Sequence, residues 1–157
     1  MSAVVSLADS YLQGIADLRT AVAGMTREQL LAKPVPGRMS TQEVICHIAD
    51  FEPIMAERMK RIIALGDTPL ILAADENLFL KELHYEERDV ENELLLIEAT
   101  RKQMAPLLRT LRPEQFQKSG VHTQRGLITL ERVIQLAIGH IEHHVPFIRE
   151  KRKALGL

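Results

Sequence analysis

Apolar residues recur at intervals of three and four over most of this chain of 157 residues, a spacing that places them on one face of a helix. The pattern predicts long helices over residues 3–24, 41–65, 89–111 and 129–154. The strict alternation typical of strands is missing, apart from a short β-like excursion around residues 119–125. We therefore expect an all-α fold, a four-helix bundle.

Two of the predicted helices have clear start signals. Ser40-Thr41-Gln42-Glu43 fits a capping box, in which the Ser40 hydroxyl accepts from the amide of Glu43 and the Glu43 carboxylate accepts from the amide of Ser40. Thr129 is a good N-cap for the last helix. Pro53 lies inside the second helical pattern, where it should kink the helix or mark a local weakness.

A long connection separates the second and third predicted helices and runs from Gly66 to about Glu86. It contains apolar triplets at residues 70–72 and 78–80, so we expect it to pack against the bundle as a crossover. The chain length fits one domain, spanning residues 1–157, with room for a hydrophobic core.

Charge and composition argue against several functional classes. With 20 basic against 21 acidic side chains and 4% aromatic residues, the chain lacks the basic, aromatic surface typical of nucleic-acid binding. No apolar run reaches the roughly 18–20 residues that span a bilayer, and residues 1–6 lack the basic start of a signal peptide. The single Cys46 allows no internal disulfide. These features predict a cytoplasmic protein that binds neither nucleic acid nor membrane.

Three of the six histidines fall within five residues of the last predicted helix. His140 and His144 are one turn apart on its apolar face, whereas His143 is turned about 100° from His144 and lies on the flank. A buried imidazole without a partner costs about 1–3 kcal/mol. A metal ion is one such partner. A hydrogen bond within the protein is the alternative, and a His pair at this spacing also arises by chance.

His47 lies on the apolar face of the second predicted helix and is a third candidate ligand. Bundle cores build metal sites from inward side chains on different helices, and three neutral imidazoles leave coordination positions open, as in catalytic sites. We expect one divalent transition metal, with zinc, nickel, iron and manganese as the candidates. His84 and His122 fall in connections, where we expect them to be solvated.

Two blocks of the sequence resemble a known family. Residues 36–50, PGRMSTQEVICHIAD, resemble the second-helix signature of the DinB-like proteins, the DinB/YfiT superfamily of proposed metalloenzymes. Residues 136–144, LAIGHIEHH, are similar to its last-helix signature, and the separation of the blocks extends the resemblance over nearly the whole chain. Met39 stands where the family usually has Trp, and Pro146 stands where many members carry a polar residue.

The resemblance implies a four-helix bundle in up-down-down-up order, with a long crossover between its second and third helices. It implies a metal triad of one His on the second helix and two on the last, which in this chain are His47, His140 and His144. These are the same three that the helical pattern selects independently. The resemblance also implies a homodimer.

The functions that the resemblance implies are metal-dependent hydrolysis and thiol S-transfer, in which the metal activates water or a low-molecular-weight thiol to attack a small-molecule substrate. A non-catalytic metal-binding or stress-response module is the alternative, and an interaction module with vestigial histidines is a third. A coordination site open to substrate would favour the enzyme. Asp50, one turn after His47, is a candidate to orient a His or a metal-bound water; otherwise it is a solvated acid near the pocket mouth.

Overall fold

The computed structural model describes residues 3–66 and 68–157, and its long helices confirm the helical pattern of the sequence. These helices are α1 (Ala3–Val22), α3 (Thr41–Ala64), α5 (Val90–Arg109) and α6 (Leu130–Ala154), each boundary within two residues of the predicted one. A short helix, α2 (Arg27–Leu31), joins α1 to α3. Residues 1–2 and Asp67 lie outside the described residues. The expectation that residues 1–6 are not the start of a signal peptide therefore falls partly outside them.

The predicted caps fix where the two histidine-bearing helices start. The Ser40 hydroxyl accepts from the Glu43 amide at 3.0 Å, and the Glu43 carboxylate accepts from the Ser40 amide at 2.7 Å, which confirms the capping box. The Thr129 hydroxyl accepts from the Arg132 amide at 3.2 Å. Since α3 continues through Pro53, the proline does not end the helix.

Contacts between the helices give their relative directions. α3 and α5 run parallel, whereas α5 is antiparallel to α1 and α3 is antiparallel to α6. The parallel direction of α3 and α5 follows from the pairs Glu52–Arg101 and Lys60–Gln103. The antiparallel direction of α1 and α5 follows from Asp9–Arg109 and Arg19–Glu91. That of α3 and α6 follows from Phe51–His140 and His47–His144. These directions agree with the up-down-down-up order.

The structure is mainly helical, as predicted, but it also contains a small sheet and further short helices. The crossover holds β1 (Leu70–Ile71), α4 (Glu76–Glu82) and a 3₁₀ turn, and β1 pairs in parallel with β2 (Ser119–His122). β2 forms an antiparallel hairpin with β3 (Gly126–Thr129), where the β-like excursion was predicted. A strand of two residues is too short to show alternation, so its pairing depends on a distant segment.

The crossover packs on the bundle, as its apolar triplets predict. Ile71 and Tyr85 are 1% and 0% exposed. The Gln42 side-chain amide, at the start of α3, donates to the backbone carbonyls of Tyr85, Glu86 and Arg88 at 2.8–3.0 Å. One polar side chain thereby holds the end of the crossover against the helix that carries His47.

A buried ionic network between the four long helices was not predicted. Arg101 of α5 is fully buried and donates to the Glu52 carboxylate at 2.8 Å and to the backbone carbonyls of Tyr11 and Ala137 at 2.6 and 2.7 Å. The Tyr11 hydroxyl donates to the same carboxylate at 2.5 Å. This network lies between two apolar clusters of the core. No helix within residues 3–66 and 68–157 is long and apolar enough to span a bilayer.

Candidate metal centre

The structure brings His47, His140 and His144 together between α3 and α6. One ring nitrogen from each lies within 4.8 Å of those of the other two. The Nε2 atoms of His47 and His140 are 2.8 Å apart, and the ring centroids of the three pairs are separated by 4.7–4.9 Å. The cap at Ser40 fixes where α3 starts and so the position of His47 along the helix. His140 and His144 lie on successive turns of α6, on the side that faces His47.

Burial favours the neutral form of all three imidazoles. His47 and His144 are 3% and 8% exposed, and His140 is partly buried. Loss of hydration, with smaller contributions from neighbouring positive charge, lowers the pKa of His140 and of His144 to about 3. Burial also lowers the pKa of His47, against the opposing charges of Glu76 and Asp50. Neutral imidazole carries the lone pair that a metal ion requires.

The donor set fits a divalent transition metal. Nδ1 of His144 is buried without a hydrogen-bond partner. Over the described residues, the His47–His140 contact is the single hydrogen bond formed by the rings of the triad. Three nitrogen donors with unmet bonding capacity suit zinc, nickel or iron better than calcium or magnesium, which prefer oxygen. Cys46 does not join them: its buried thiol faces the Tyr85 carbonyl at 3.6 Å, and burial raises its pKa to about 12.

A cavity of about 750 Å³ opens beside the triad. His140 and His143 line this cavity, and Phe51 forms part of its wall. The triad therefore borders the cavity through His140, the one of its three histidines that lines the wall. His143, which was predicted to lie on the flank, is exposed and stacks edge-on against Phe147 with ring centroids 5.0 Å apart.

A glutamate that the sequence did not single out faces the triad. Glu76 is the first residue of α4 and lines the cavity, and its negative charge raises the pKa of His47. α4 is seated there because Phe79 packs on Phe51 at 5.7 Å, and Phe51 in turn contacts the His47 ring at 4.9 Å. Asp75 before an apolar run was a signal for this helix, since its carboxylate caps the amides of residues 77 and 78.

Asp50 has a different neighbourhood from the one predicted. Its carboxylate oxygens accept from Arg88 at 2.9 and 2.8 Å, and Arg88 also donates to Glu93 at 2.5 and 2.9 Å. The Asp50 side chain is 15% exposed, so the alternative of a solvated acid was wrong. The ion pair ties the end of the crossover to α3. A role for Asp50 at the metal stays a prediction.

The two remaining histidines differ from one another. His84 is exposed beside Glu86, as expected for a residue in a connection. The expectation that His122 is solvated was wrong, because strands on both sides of β2 leave it 6% exposed. Its Nδ1 accepts from the amides of Gln124 and Arg125 at 3.2 and 3.3 Å. His122 lies outside the triad but lines the same cavity.

Fold and site together define a helix bundle with three inward histidines on two antiparallel helices. The chain belongs to the DinB superfamily, whose model matches residues 11–148. This confirms the resemblance seen in the two sequence blocks.

Individual relatives extend the likeness over most of the chain. The chain is 30% identical over 142 residues to "putative metal-dependent hydrolase YfiT" of Bacillus subtilis, covering 90% of this chain and 79% of the relative. It is 31% identical over 138 residues to "putative metal-dependent hydrolase OB0782" of Oceanobacillus iheyensis, covering 87% and 79%. The solved structure of YfiT matches with a TM-score of 0.90 at 27% identity, over 99% of this chain and 90% of that chain. It is described as a probable metal-dependent hydrolase with an unusual four-helix bundle topology.

Proposed function

We propose that this protein is a metal-dependent hydrolase of small molecules, with one divalent transition metal held by His47, His140 and His144. The observation that carries the proposal is the convergence of three imidazoles, with one ring nitrogen of each within 4.8 Å of the others, beside a cavity of about 750 Å³. The names of the relatives support hydrolysis as the reaction class. When bound, the metal supplies a Lewis acid that polarises a water molecule and lowers its pKa.

Glu76 is the proposed proton acceptor. Hydrolysis needs a base near the attacking water, and a carboxylate in the wall of the cavity can serve. Asp75 also lines the cavity, but its carboxylate is occupied by the amides at the start of α4. Glu76 forms no ion pair with another described residue, and its charge acts on His47. It is therefore the acid available to hold a proton beside the triad.

Thiol S-transfer is the second candidate. A water molecule occupies about 30 Å³ in the liquid, so a cavity of about 750 Å³ leaves room for an organic co-substrate beside the substrate. A low-molecular-weight thiol would use the same three ligands. The opening beside His140 favours either reaction over a non-catalytic metal-binding module, which needs no access to the ion. The homodimer implied by the family resemblance stays a prediction.

The first test is metal content, measured by mass spectrometry on protein purified without a His tag. We expect about one equivalent of a transition metal in the parent, and its loss in His140→Ala. His143→Ala is the matched control, because this neighbouring exposed histidine lies outside the triad and should leave the metal in place. A parent that stays metal-free after incubation with zinc, nickel, iron and manganese would overturn the proposal.

Substrate screening then separates the two reactions. The metal-loaded protein is assayed with ester, amide and phosphoester substrates, with and without added thiol. Turnover without thiol supports hydrolysis. A separate assay supplies the thiol together with an alkyl halide, and thiol-dependent formation of a thioether with release of the halide supports S-transfer in its place.

A further inference from the structure

The wall of the cavity carries a group of basic side chains from four separate parts of the fold. Arg58 lies on α3, His122 on β2, Arg125 in the β2–β3 turn and Arg132 on α6. We propose that the three arginines form a binding subsite for an anionic group, a carboxylate or a phosphate, on the molecule that the cavity accepts. The identity of that molecule as a substrate rests on the proposed function, whereas the anion subsite itself does not.

Arg58 is the strongest single indication, because it is a buried charge without an acidic partner. The residue is 8% exposed, and its guanidinium donates to the Leu72 carbonyl at 2.8 Å and contacts the Met55 sulfur at 3.6 Å. Over the described residues, no carboxylate lies within ion-pair distance of it. The adjacent acid, Glu57, pairs with Arg61 instead. Buried charges in proteins are normally paired, since removing an ion from water without compensation is costly.

Arg101, the other buried arginine among the described residues, shows the contrast. Arg101 is 0% exposed, and its guanidinium is paired with Glu52 and with two backbone carbonyls. The charge of Arg101 is thus compensated within the protein by Glu52, although its Nε is buried without a hydrogen-bond partner, and Arg101 has a structural role. Arg58 retains donors that face a cavity, which is the arrangement expected when the counter-ion comes from a ligand.

Arg125 and Arg132 add charge to the same wall. Both are exposed, and within the described part of the chain neither forms an ion pair. The charge of Arg125 lowers the pKa of Arg58, and the charges of Arg58 and Arg125 lower the pKa of His122. Arg58, Arg125 and His122 are therefore close enough to repel each other, and Arg132 lines the same wall. An anion among them would relieve the repulsion and could accept paired hydrogen bonds from a guanidinium.

The acidic side chains of the cavity do not neutralise this wall. Asp75 is engaged at the start of α4, and Glu76 acts on His47 at the triad. The cavity therefore has a negative group near the metal site and positive groups on the side of the sheet. Such a polarity orients a molecule that carries an anion at one end.

The positions along α6 give the size of that molecule. Arg132 and His140 are eight residues apart, and a rise of about 1.5 Å per residue separates their backbones by about 12 Å along the helix axis. We therefore infer an organic acid or an organophosphate whose reacting bond lies several ångströms from its anionic group.

The test is binding of simple anions to metal-free protein, so that the metal cannot contribute. Inorganic phosphate and acetate are titrated in separate calorimetric experiments at constant ionic strength, with chloride as the reference. We expect at least one of them to bind, and the stronger binder identifies the preferred anion. Arg125→Gln/Arg132→Gln should weaken that binding by about tenfold or more, the effect of losing one or two charge-assisted hydrogen bonds.

Two controls make the result specific. Arg149→Gln removes an exposed positive charge of α6 outside the cavity and should leave the affinity unchanged. His140→Ala should lose metal but keep anion binding, so that the subsite and the proposed metal centre succeed or fail separately. Equal affinity in the parent and the double arginine variant would overturn the subsite, as would failure of the parent to bind either anion.

Arg58→Gln completes the test, since it removes the buried charge. We expect weaker anion binding together with a folded protein that is no less stable than the parent, because the charge has no acidic partner to lose. Unchanged anion affinity in folded Arg58→Gln would remove Arg58 from the subsite.

Discussion

Nε2 of His47 lies 2.8 Å from Nε2 of His140, although the two residues are 93 positions apart in the chain. Each histidine is carried inward by its own helix, and the antiparallel packing of α3 on α6 brings the two nitrogens face to face. His144 adds a third ring, with one nitrogen buried and unpaired. This concentration of unmet nitrogen donors has measurable consequences for stability and for activity.

Acid should destabilise the metal-free protein through these rings. The pKa values of His140 and His144 fall from 6.5 to about 3 on folding, so between these limits the unfolded chain binds more protons. The stabilisation is complete above about pH 6.5 and is lost as the pH falls toward 3. Each ring contributes a slope of about 1.4 kcal/mol per pH unit.

Urea unfolding at a series of pH values, with chelator present, measures this slope. His140→Gln removes one titrating ring and should reduce the dependence between pH 6 and 4, a window that lies between the two pKa values. An unchanged slope in this variant would show that His140 does not lose its proton on folding.

Loss of Arg101 should cost much more stability than loss of a surface arginine on the same helix. Arg101→Met leaves the Glu52 carboxylate buried without its cationic partner, and breaking such a pair costs about 3–5 kcal/mol. Arg109→Met is the matched control on α5, because Arg109 pairs with Asp9 at the surface and an exposed pair contributes about 0–1 kcal/mol. Chemical denaturation gives both values.

The double variant Arg101→Met/Glu52→Met tests the cause of that loss. It removes both charges, so it should be more stable than Arg101→Met alone. A double variant that is less stable than the single one would point to packing rather than charge.

Gly120 should be intolerant of a side chain. A Cβ atom there would lie 2.5 Å from Cδ1 of Ile71 and 3.0 Å from the carbonyl oxygen of Pro69, so Gly120→Ala must displace the buried Ile71 side chain and crowd the backbone before β1. We expect a loss of about 1–3 kcal/mol, as for other overpacked sites. Gly139 has nothing within 4 Å of such an atom and lies inside α6, so Gly139→Ala should stabilise the protein by about 0.5–1 kcal/mol. Thermal unfolding measures the stability of both variants. Equal effects of Gly120→Ala and Gly139→Ala would contradict the close packing of Gly120 against Ile71.

Glu76→Gln should separate proton transfer from metal binding. The variant keeps the size of the side chain and leaves the triad intact, so metal content should not change. Loss of a general base lowers the rate by about 10²–10⁴-fold. kcat for a substrate found by screening provides the measurement, with Glu82→Gln, an exposed residue at the other end of α4, as control. A kcat equal to that of the parent would exclude Glu76 as the base.

Helix boundaries and the triad could be predicted because both depend on local order. Capping at Ser40 and Thr129 is decided by residues within one turn, and the helical period assigns each of His47, His140 and His144 to an apolar face. Two helices that each bury a histidine face in one core have few ways to avoid bringing those faces together.

The partners of the buried charges could not be predicted in this way. Arg101 interrupts an apolar face, and its acceptors come from three other helices. His122 lies in a segment that looks like a solvated connection, and it is buried because a strand of two residues from the crossover pairs beside it. A periodic pattern reports the face of one element and carries no information about which distant group completes a contact.

The sequence by itself determined four long helices, their starts and the three histidines that face inward. The tertiary structure alone decided that the crossover places Glu76 near the triad, and that Arg58, Arg125 and Arg132 line one cavity. The physical reason is the range of the interactions. Helix formation and capping depend on neighbours within about four residues, whereas a cavity wall is assembled from residues that only long-range packing brings side by side.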